Sequence, residues 1–289
     1  MWFSASAQAL TEKFGEPEQG ITHLARRLLA RANVQGPPFF PDEFAPFCSV
    51  RQIRNRRIPG HGLLVRRPDG FAIYINRKYA WHDPQWNAVC AHELGHVLLS
   101  QVSPRALDAQ NEWVDEDEQL ANRAARELLL PEQEFQRLAA DGAERSDALQ
   151  LMPRNDKDAP LVMLQQVADI FRAPLRMTAQ RFVETGVWRD LILAWDVEGD
   201  ELLLKSWWPA HHPGSCFLRR HARAIALFGP ENAVQKAVHR DTIVRDLEAI
   251  SPQRGVIWLV QSAAFTEYRK KYVLSFVRTG DAHDGLLLI

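Results

Sequence analysis

The segment that most constrains this chain is Ala91–Leu99, which reads AHELGHVLL. The apolar residues in and around it predict a largely buried helix. His92 and His96 are four residues apart, so on a helix both imidazoles lie on one face, one turn apart. Two such imidazoles can bind a single metal ion, while the intervening Glu93 stays free to act on water. The pattern H-E-x-x-H is therefore typical of a zinc site in a metallopeptidase.

One alternative remains open for this segment. Two core histidines could be hydrogen-bonded to backbone, with Glu93 on a solvated face. Burial of an imidazole is costly unless its nitrogens are satisfied, which favours the metal site. Gly95 leaves room beside His96 for the close approach of another element or of a substrate.

A catalytic zinc site needs a third protein ligand, because zinc hydrolases usually combine three ligands with one open position. The acidic stretch at 112–118 runs into a predicted helix that ends at Pro131. Glu118 lies on an apolar face of small residues that could pack against the first helix. Helical phase favours Glu118 only modestly over Asp117 and Glu116. Asn122, one turn beyond Glu118, is a candidate to orient a histidine ligand from the outer shell.

These segments together resemble the ImmA/IrrE metallopeptidases. The matching motifs are A-H-E-L-G-H at 91–96, E-x-x-A-N at 118–122, L-L-L-P at 128–131 and the preceding strand at 71–76. The resemblance covers about residues 20–135, and more loosely the helical stretch to 189. It implies that His92, His96 and Glu118 are metal ligands and that Glu93 is the catalytic base.

The resemblance also implies a function. Family members that act in cells cleave helix-turn-helix repressors and so activate stress or mobile-element genes. We therefore expect a zinc-dependent endopeptidase, with Mn²⁺ as a possible substitute because a His/His/Glu set accepts both ions. The rival hypotheses are a DNA-binding regulator with a vestigial metal site and a metallopeptidase with another protein target. His61, His82 and Tyr74 are weak candidates for stabilising the oxyanion.

The composition sets limits on partners and compartment. The 289 residues carry a net charge of −1, which gives no general attraction to nucleic acid or anionic membranes. The three cysteines are widely spaced and odd in number, so a disulfide framework is not expected. No signal peptide or membrane span is predicted. We expect a cytoplasmic protein whose partner is a protein substrate, without direct nucleic-acid binding, and the oligomeric state stays open.

The predicted fold class is α+β, with a zincin-like domain built from a small sheet and the zinc helix. Residues 1–20 are expected to be a loose lead-in and residues 21–140 the metallopeptidase domain. Three strands are predicted at 48–53, 61–65 and 71–76, and the zinc helix is expected to start near Pro84 after Asp83. A cluster of arginines on or near this sheet fits a solvated face better than a patch for an acidic substrate: Arg51, Arg54, Arg56, Arg57, Arg66 and Arg67.

The remaining residues predict two further regions. Residues 141–189 are expected to begin with a loop up to 158 and continue as two short helices that resemble a helix-turn-helix. Their local charge of only about +1 speaks against DNA binding. Residues 190–289 predict a mixed α/β domain with a hairpin around Glu198–Asp200 and a helix at 231–250. Some members of the family end in a GAF-like sensor module, which leaves a sensory role open for this domain.

Overall fold

The computed structural model describes residues 4–103, 114–144, 159–188, 191–208, 220–224, 232–240, 244–251, 256–267 and 270–281. The chain divides into two compact units, residues 1–140 with 167–177, and residues 141–166 with 178–289. Both helices and sheets are present, so the predicted α+β class is confirmed. No described helix is both long enough and apolar enough to cross a bilayer.

The first unit begins with helices, and here the sequence prediction was wrong. Residues 1–20 are not a loose lead-in, because α1 spans Ala5–Phe14 and α2 spans Pro17–Ala32. Gly15 ends α1 at φ 85°, a conformation that glycine adopts readily, and Pro17 occupies the first turn of α2. A Cβ on Gly20 would lie 2.8 Å from the ring of Phe14, so the two helices pack closely.

A three-stranded sheet follows the short helix α3 (Pro41–Phe44) and a 3₁₀ turn at Ala45–Cys48. Its strands are β1 (Val50–Arg56), β2 (Gly62–Arg67) and β3 (Gly70–Asn76). Their order is β1-β3-β2, with β1 parallel and β2 antiparallel to β3. Among the described residues, β2 is therefore an edge strand.

One face of this sheet packs on helix α4 (Pro84–Val102). In the register, Gly62 lies opposite Ile75 and Leu64 lies opposite Ile73, and opposed residues point to the same face. Ile73 and Ile75 are fully buried there. Apolar residues at alternate strand positions thus fix which face meets α4.

Helix α5 (Asp115–Leu129) packs on α4 and is followed by α6 (Glu132–Glu144). Its first turn holds four acidic residues, which are favourable at a helix N-terminus. The two helices approach at Gly95, where a Cβ would lie 2.8 Å from the Cα of Ala121. The room that Gly95 leaves is thus filled by another element of the chain.

Two short helices, α7 (Ala159–Phe171) and α8 (Leu175–Glu184), flank a turn at 172–174 as predicted. Arg172 has a φ of 51°, which ends α7. Within the first unit, the ring of Phe171 packs against Phe39 and Phe135. A DNA-binding arrangement of α7 and α8 remains a prediction. Most of the loop predicted at 141–158 lies outside the described residues, and its first residues belong to α6.

The second unit contains a five-stranded antiparallel sheet of order β5-β4-β8-β7-β6. The strands are β4 (Leu191–Glu198), β5 (Glu201–Trp208), β6 (Val244–Ser251), β7 (Val256–Glu267) and β8 (Lys270–Asp281), and α9 spans Ala233–Arg240. The hairpin between β4 and β5 was predicted. The helix predicted at 231–250 is wrong beyond residue 240, because residues 244–251 pair with β7 and this pairing overrides the local preference.

Candidate metal centre

Helix α4 presents the two predicted histidines to one point. The Nε2 atoms of His92 and His96 are 3.0 Å apart, and their rings are nearly perpendicular at 89°. His96 is 2% exposed, whereas about a fifth of the His92 side chain reaches solvent. The four-residue spacing thus produces a pair of nitrogen donors in the middle of a largely buried helix.

Glu118 completes the cluster from the first turn of α5. Its two carboxylate oxygens lie 3.2 Å from Nε2 of His92 and 3.2 Å from Nε2 of His96. One donor atom from each of the three residues lies within 4.8 Å of the others. Since Glu118 and His92 are 26 positions apart, this arrangement depends on the close crossing of α4 and α5 at Gly95.

Asn122 lies where the sequence predicts, one turn after Glu118. Its Oδ1 is 3.0 Å from Nδ1 of His92. Because an amide oxygen can only accept a hydrogen bond, Nδ1 is the protonated nitrogen of a neutral His92 ring. The lone pair of that tautomer is then on Nε2, which points toward His96 and Glu118. An outer contact of this kind sets the tautomer and the orientation of a metal-binding histidine.

The N-terminal helix contributes contacts that the sequence did not reveal. Ser4 caps α1, and its backbone N–H donates to Glu116 at 2.6 Å. Its hydroxyl donates to the carboxylate of Asp117 at 2.8 Å. The two acidic residues that were alternatives to Glu118 therefore face α1. No motif marks this contact, because Ser4 is more than 110 positions away in the sequence.

Glu93 is nearly buried, at 7% exposure, beside strand β2. A Cβ on Gly62 would lie 2.3 Å from Oε1 of Glu93, so only glycine fits at this position of the strand. Burial raises the pKa of Glu93 to about 7, an effect that His92 opposes and the negative charge of Glu118 reinforces. A general base works best when its pKa is near the working pH. The sequence did not indicate the role of Gly62.

The charges in the cluster are strongly coupled. In the metal-free protein, hydrogen bonds that His92 and His96 donate when Nε2 carries a proton hold the pKa of Glu118 well below its usual value. In the tautomer of His92 that can bind a metal, the proton is on Nδ1 instead. Burial lowers the pKa of His96, and this effect outweighs its contact with Glu118. Burial also acts to lower the pKa of His92, but its contacts with Glu118, Glu93 and Asn122 raise it overall. An ionised carboxylate next to a neutral imidazole is the protonation pattern that a metal ion needs from its ligands.

Comparison with known proteins finds a family match for the part of the chain that contains this cluster. Residues 60–182 match the model of the peptidase M78 family, described as the IrrE N-terminal-like domain. The matched range contains His92, Glu93, His96 and Glu118. Over these residues, the chain is similar to the ImmA/IrrE metallopeptidases. The resemblance found in the sequence motifs is thereby confirmed, and metallopeptidase ancestry is shown for this domain.

Among solved structures, the fold is similar to that of a Mycobacterium tuberculosis transcriptional regulator. The TM-score is 0.54 at 15% sequence identity, and the match covers 93% of this chain and 91% of the other. At this identity the match shows a shared fold. No curated protein matches the chain significantly.

The donor set of this site suits a small divalent ion. Ligand bonds of about 2.0–2.2 Å in a tetrahedron put neighbouring donor atoms about 3.3 Å apart. The observed separations of 3.0 and 3.2 Å are close to that value. Two imidazoles and one carboxylate also leave a fourth position open, as a hydrolytic site requires.

The three oxyanion candidates fall at different places. Tyr74 is on the sheet face opposite to α4, because strand residues alternate and its neighbours Ile73 and Ile75 face the helix. His82 lies before the start of α4 and is 3.0 Å from Asp42, about 15 Å along the helix from His92. His61 directly precedes Gly62, the residue that lies against Glu93. Of the three oxyanion candidates, it is therefore the one whose sequence neighbour contacts Glu93.

Burial of Glu93 predicts a pH effect on the metal-free protein. Since its pKa is about 7 in the folded chain against 4.5 for an ordinary glutamate, the folded state loses stability as the pH rises between these values. Glu93→Gln should therefore stabilise the chelated protein at pH 8 by up to about 3 kcal/mol, and by little at pH 4.5. Chemical denaturation at the two pH values measures this. Glu43→Gln, at an exposed site on α3, is the matched control. An equal effect of Glu93→Gln at both pH values would contradict the prediction.

Proposed function

We propose that this protein is a zinc-dependent endopeptidase that hydrolyses a peptide bond in a protein substrate in the cytoplasm. The observation that carries the proposal is the convergence of His92, His96 and Glu118, with the buried carboxylate of Glu93 on the same helix. His92 and His96 would bind the ion through Nε2, and Glu118 through its carboxylate. When bound, zinc acts as a Lewis acid toward water and the peptide carbonyl.

Glu93 has the position and the acidity for both proton transfers. As a carboxylate it accepts the proton of the attacking water at an Oε atom. As a carboxylic acid it then donates this proton to the leaving amine. A pKa of about 7 suits both steps, because the group can be charged before the attack and protonated after it. The backbone of Gly62 lies directly beside this carboxylate.

Strand β2 offers a binding edge for an extended peptide. The carbonyl of His61 accepts a hydrogen bond from the N–H of Asn76, so this residue is bonded toward β3. In an antiparallel strand this direction alternates, which places the N–H and C=O groups of Gly62, Leu64 and Arg66 on the opposite edge. A substrate can pair there as an added strand. Because Gly62 lies against Glu93, the paired peptide passes next to the base.

We infer that the substrate is a helix-turn-helix repressor, as the family resemblance implies. The shared fold with a protein named a transcriptional regulator is compatible with a role in gene regulation. The structure itself supports peptide hydrolysis, whereas the identity of the target comes from the resemblance.

The test is direct incubation of the zinc-loaded full chain with purified helix-turn-helix repressors encoded near its gene. We expect one repressor to be cut at a single bond, as measured by intact-mass spectrometry. Chelation should stop the reaction and added zinc should restore it. If no repressor is cut, but an unfolded protein such as casein is, the target assignment fails and the peptidase assignment stands. If the metal-loaded protein cuts neither, the peptidase proposal is overturned in favour of a binding-only regulator.

A further inference from the structure

The sheet that borders the candidate site carries a concentrated positive charge. Residues 50–78 contain eight arginines and lysines and one aspartate, a net charge of +7. Since the whole chain has a net charge of −1, the other residues together carry −8. Seven of the eight cations are arginines, which bind carboxylates more specifically than lysines do. The positive charge of the chain is thus concentrated in the segment that forms this sheet.

Part of this charge is held in place on the sheet face that points away from α4. Tyr74 lies at the centre of that face, and Arg67 donates to its hydroxyl at 2.5 Å. The guanidinium of Arg56 lies 4.6 Å above the centre of the same ring. Both partners of Tyr74 are cations, and the tyrosine neutralises neither. Leu63, on the same face of the edge strand, is 43% exposed.

The charged end of β2 has a fixed distance from Glu93. Gly62, at one end of the strand, lies against Glu93, and the exposed Arg66 and Arg67 form the other end. At about 3.3–3.4 Å per residue, these arginines are about 13–17 Å from Gly62 along the strand. A peptide paired antiparallel to β2 runs in the opposite direction. Its residues next to Arg66 and Arg67 are thus about four and five positions N-terminal to the residue opposite Gly62.

We propose that Arg66 and Arg67 at the end of β2 select protein substrates with acidic residues about four to five positions N-terminal to the residue opposite Gly62. This specificity rests on the proposed peptidase function. Arg67 would bind an acidic side chain on the sheet face shared with Leu63, and Arg66 one on the alternate face. The remaining arginines of the sheet add a long-range attraction for the acidic segment.

An acidic peptide fits this surface better than a nucleic acid does. Strand β2 is six residues long, about 20 Å, which matches a short extended segment. Duplex binders commonly contact about 6–10 phosphates along the groove. On β2 itself, the contacts available to a ligand at the charged end are two guanidiniums, and the exposed Leu63 nearby suits an apolar side chain.

Binding is best tested apart from cleavage, with the zinc-loaded full chain carrying Glu93→Gln. The probes are fluorescein-labelled peptides of about 12 residues that contain a Glu-Glu pair at successive positions, each with a Gln-Gln twin. We expect one placement of the Glu-Glu pair to bind about tenfold more tightly than its twin, as two exposed ion pairs would provide. Arg66→Glu combined with Arg67→Glu should abolish this preference. Arg27→Glu, an exposed arginine on α2, should retain it.

The outcomes separate this inference from the proposed function. Equal affinity of every Glu-Glu peptide and its twin would overturn the inference, as would a preference that survives the double charge reversal. The inference would also be overturned if short duplex or single-stranded DNA bound more tightly than the Glu-Glu peptides at about 0.15 M salt and the double variant lost this binding. The surface would then be a nucleic-acid site. If the wild-type protein cleaves repressors but shows no preference for acidic peptides, the proposed peptidase function stands and only the proposed specificity fails. If acidic peptides bind preferentially but the wild-type protein cleaves nothing, the proposed binding role of Arg66 and Arg67 stands and the proposed peptidase function is overturned.

Discussion

Replacing Glu93 with glutamine should leave the metal bound and lower the rate of peptide hydrolysis by about 10²–10⁴-fold, the usual contribution of a general acid–base group. Glutamine has the same shape as glutamate but cannot accept the proton of water or pass it to the amine. Glu93 lies next to His92 in the sequence without being part of the three-residue donor cluster. The donor atoms therefore remain unchanged in the variant.

The measurement pairs elemental analysis with the cleavage rate on the same preparation. Glutamine has nearly the same size as glutamate, so it fits in the space that Gly62 leaves beside the side chain at position 93. The matched control is Glu43→Gln on α3, which should cleave at the wild-type rate. A Glu93→Gln protein with full metal content and a rate within about twofold of wild type would show that another group is the base.

The local part of the candidate site could be predicted from the sequence. The spacing of His92 and His96 defines a shared helix face wherever the helix packs. The start of α4 was also predictable, because Asp83 and Pro84 are typical of a helix N-terminus and the helix begins at Pro84. The position of Asn122 followed from the same helical geometry applied to α5.

The non-local part could not be predicted with the same certainty. Helical phase left Glu116, Asp117 and Glu118 as competing third ligands. In the structure, Ser4 binds the first two, while the crossing at Gly95 brings Glu118 to the histidines. These contacts join segments that are far apart in the sequence, and no local pattern encodes them.

The prediction of a loose lead-in at residues 1–20 was wrong for a physical reason. Residues 1–20 contain Gly15, Pro17 and Gly20, residue types that are typical of loops. In the folded chain, Gly15 ends one helix, Pro17 starts the next and Gly20 permits their close packing. The same residue types serve loops and helix termini, and the hydrophobic positions Ala7 and Leu10, both fully buried, were the better signal.

Removing the side chain of Glu118 should have the second large effect, on metal binding. Glu118→Ala takes away one of three donors, so we expect an affinity loss greater than the about 10–100-fold that an outer-shell change costs. For Asn122→Ala, the loss of zinc affinity should be within about 10–100-fold. This variant loses the hydrogen bond that orients the His92 ring but keeps all three donor residues. Competition with a chromogenic chelator measures the affinity of each variant for zinc.

Two features make this experiment specific for the metal. Glu118 is 42% exposed and α5 is held by its contacts at Gly95 and Ser4, so the alanine variant should stay folded. Asp115→Ala removes an exposed carboxylate from the same helical turn and controls for the general loss of negative charge. If Glu118→Ala bound one equivalent of zinc as tightly as Asp115→Ala, the third ligand would have to come from elsewhere. Asp117 would be the first to test, because it precedes Glu118 in the same helical turn and could reach His96 if its contact with the hydroxyl of Ser4 broke.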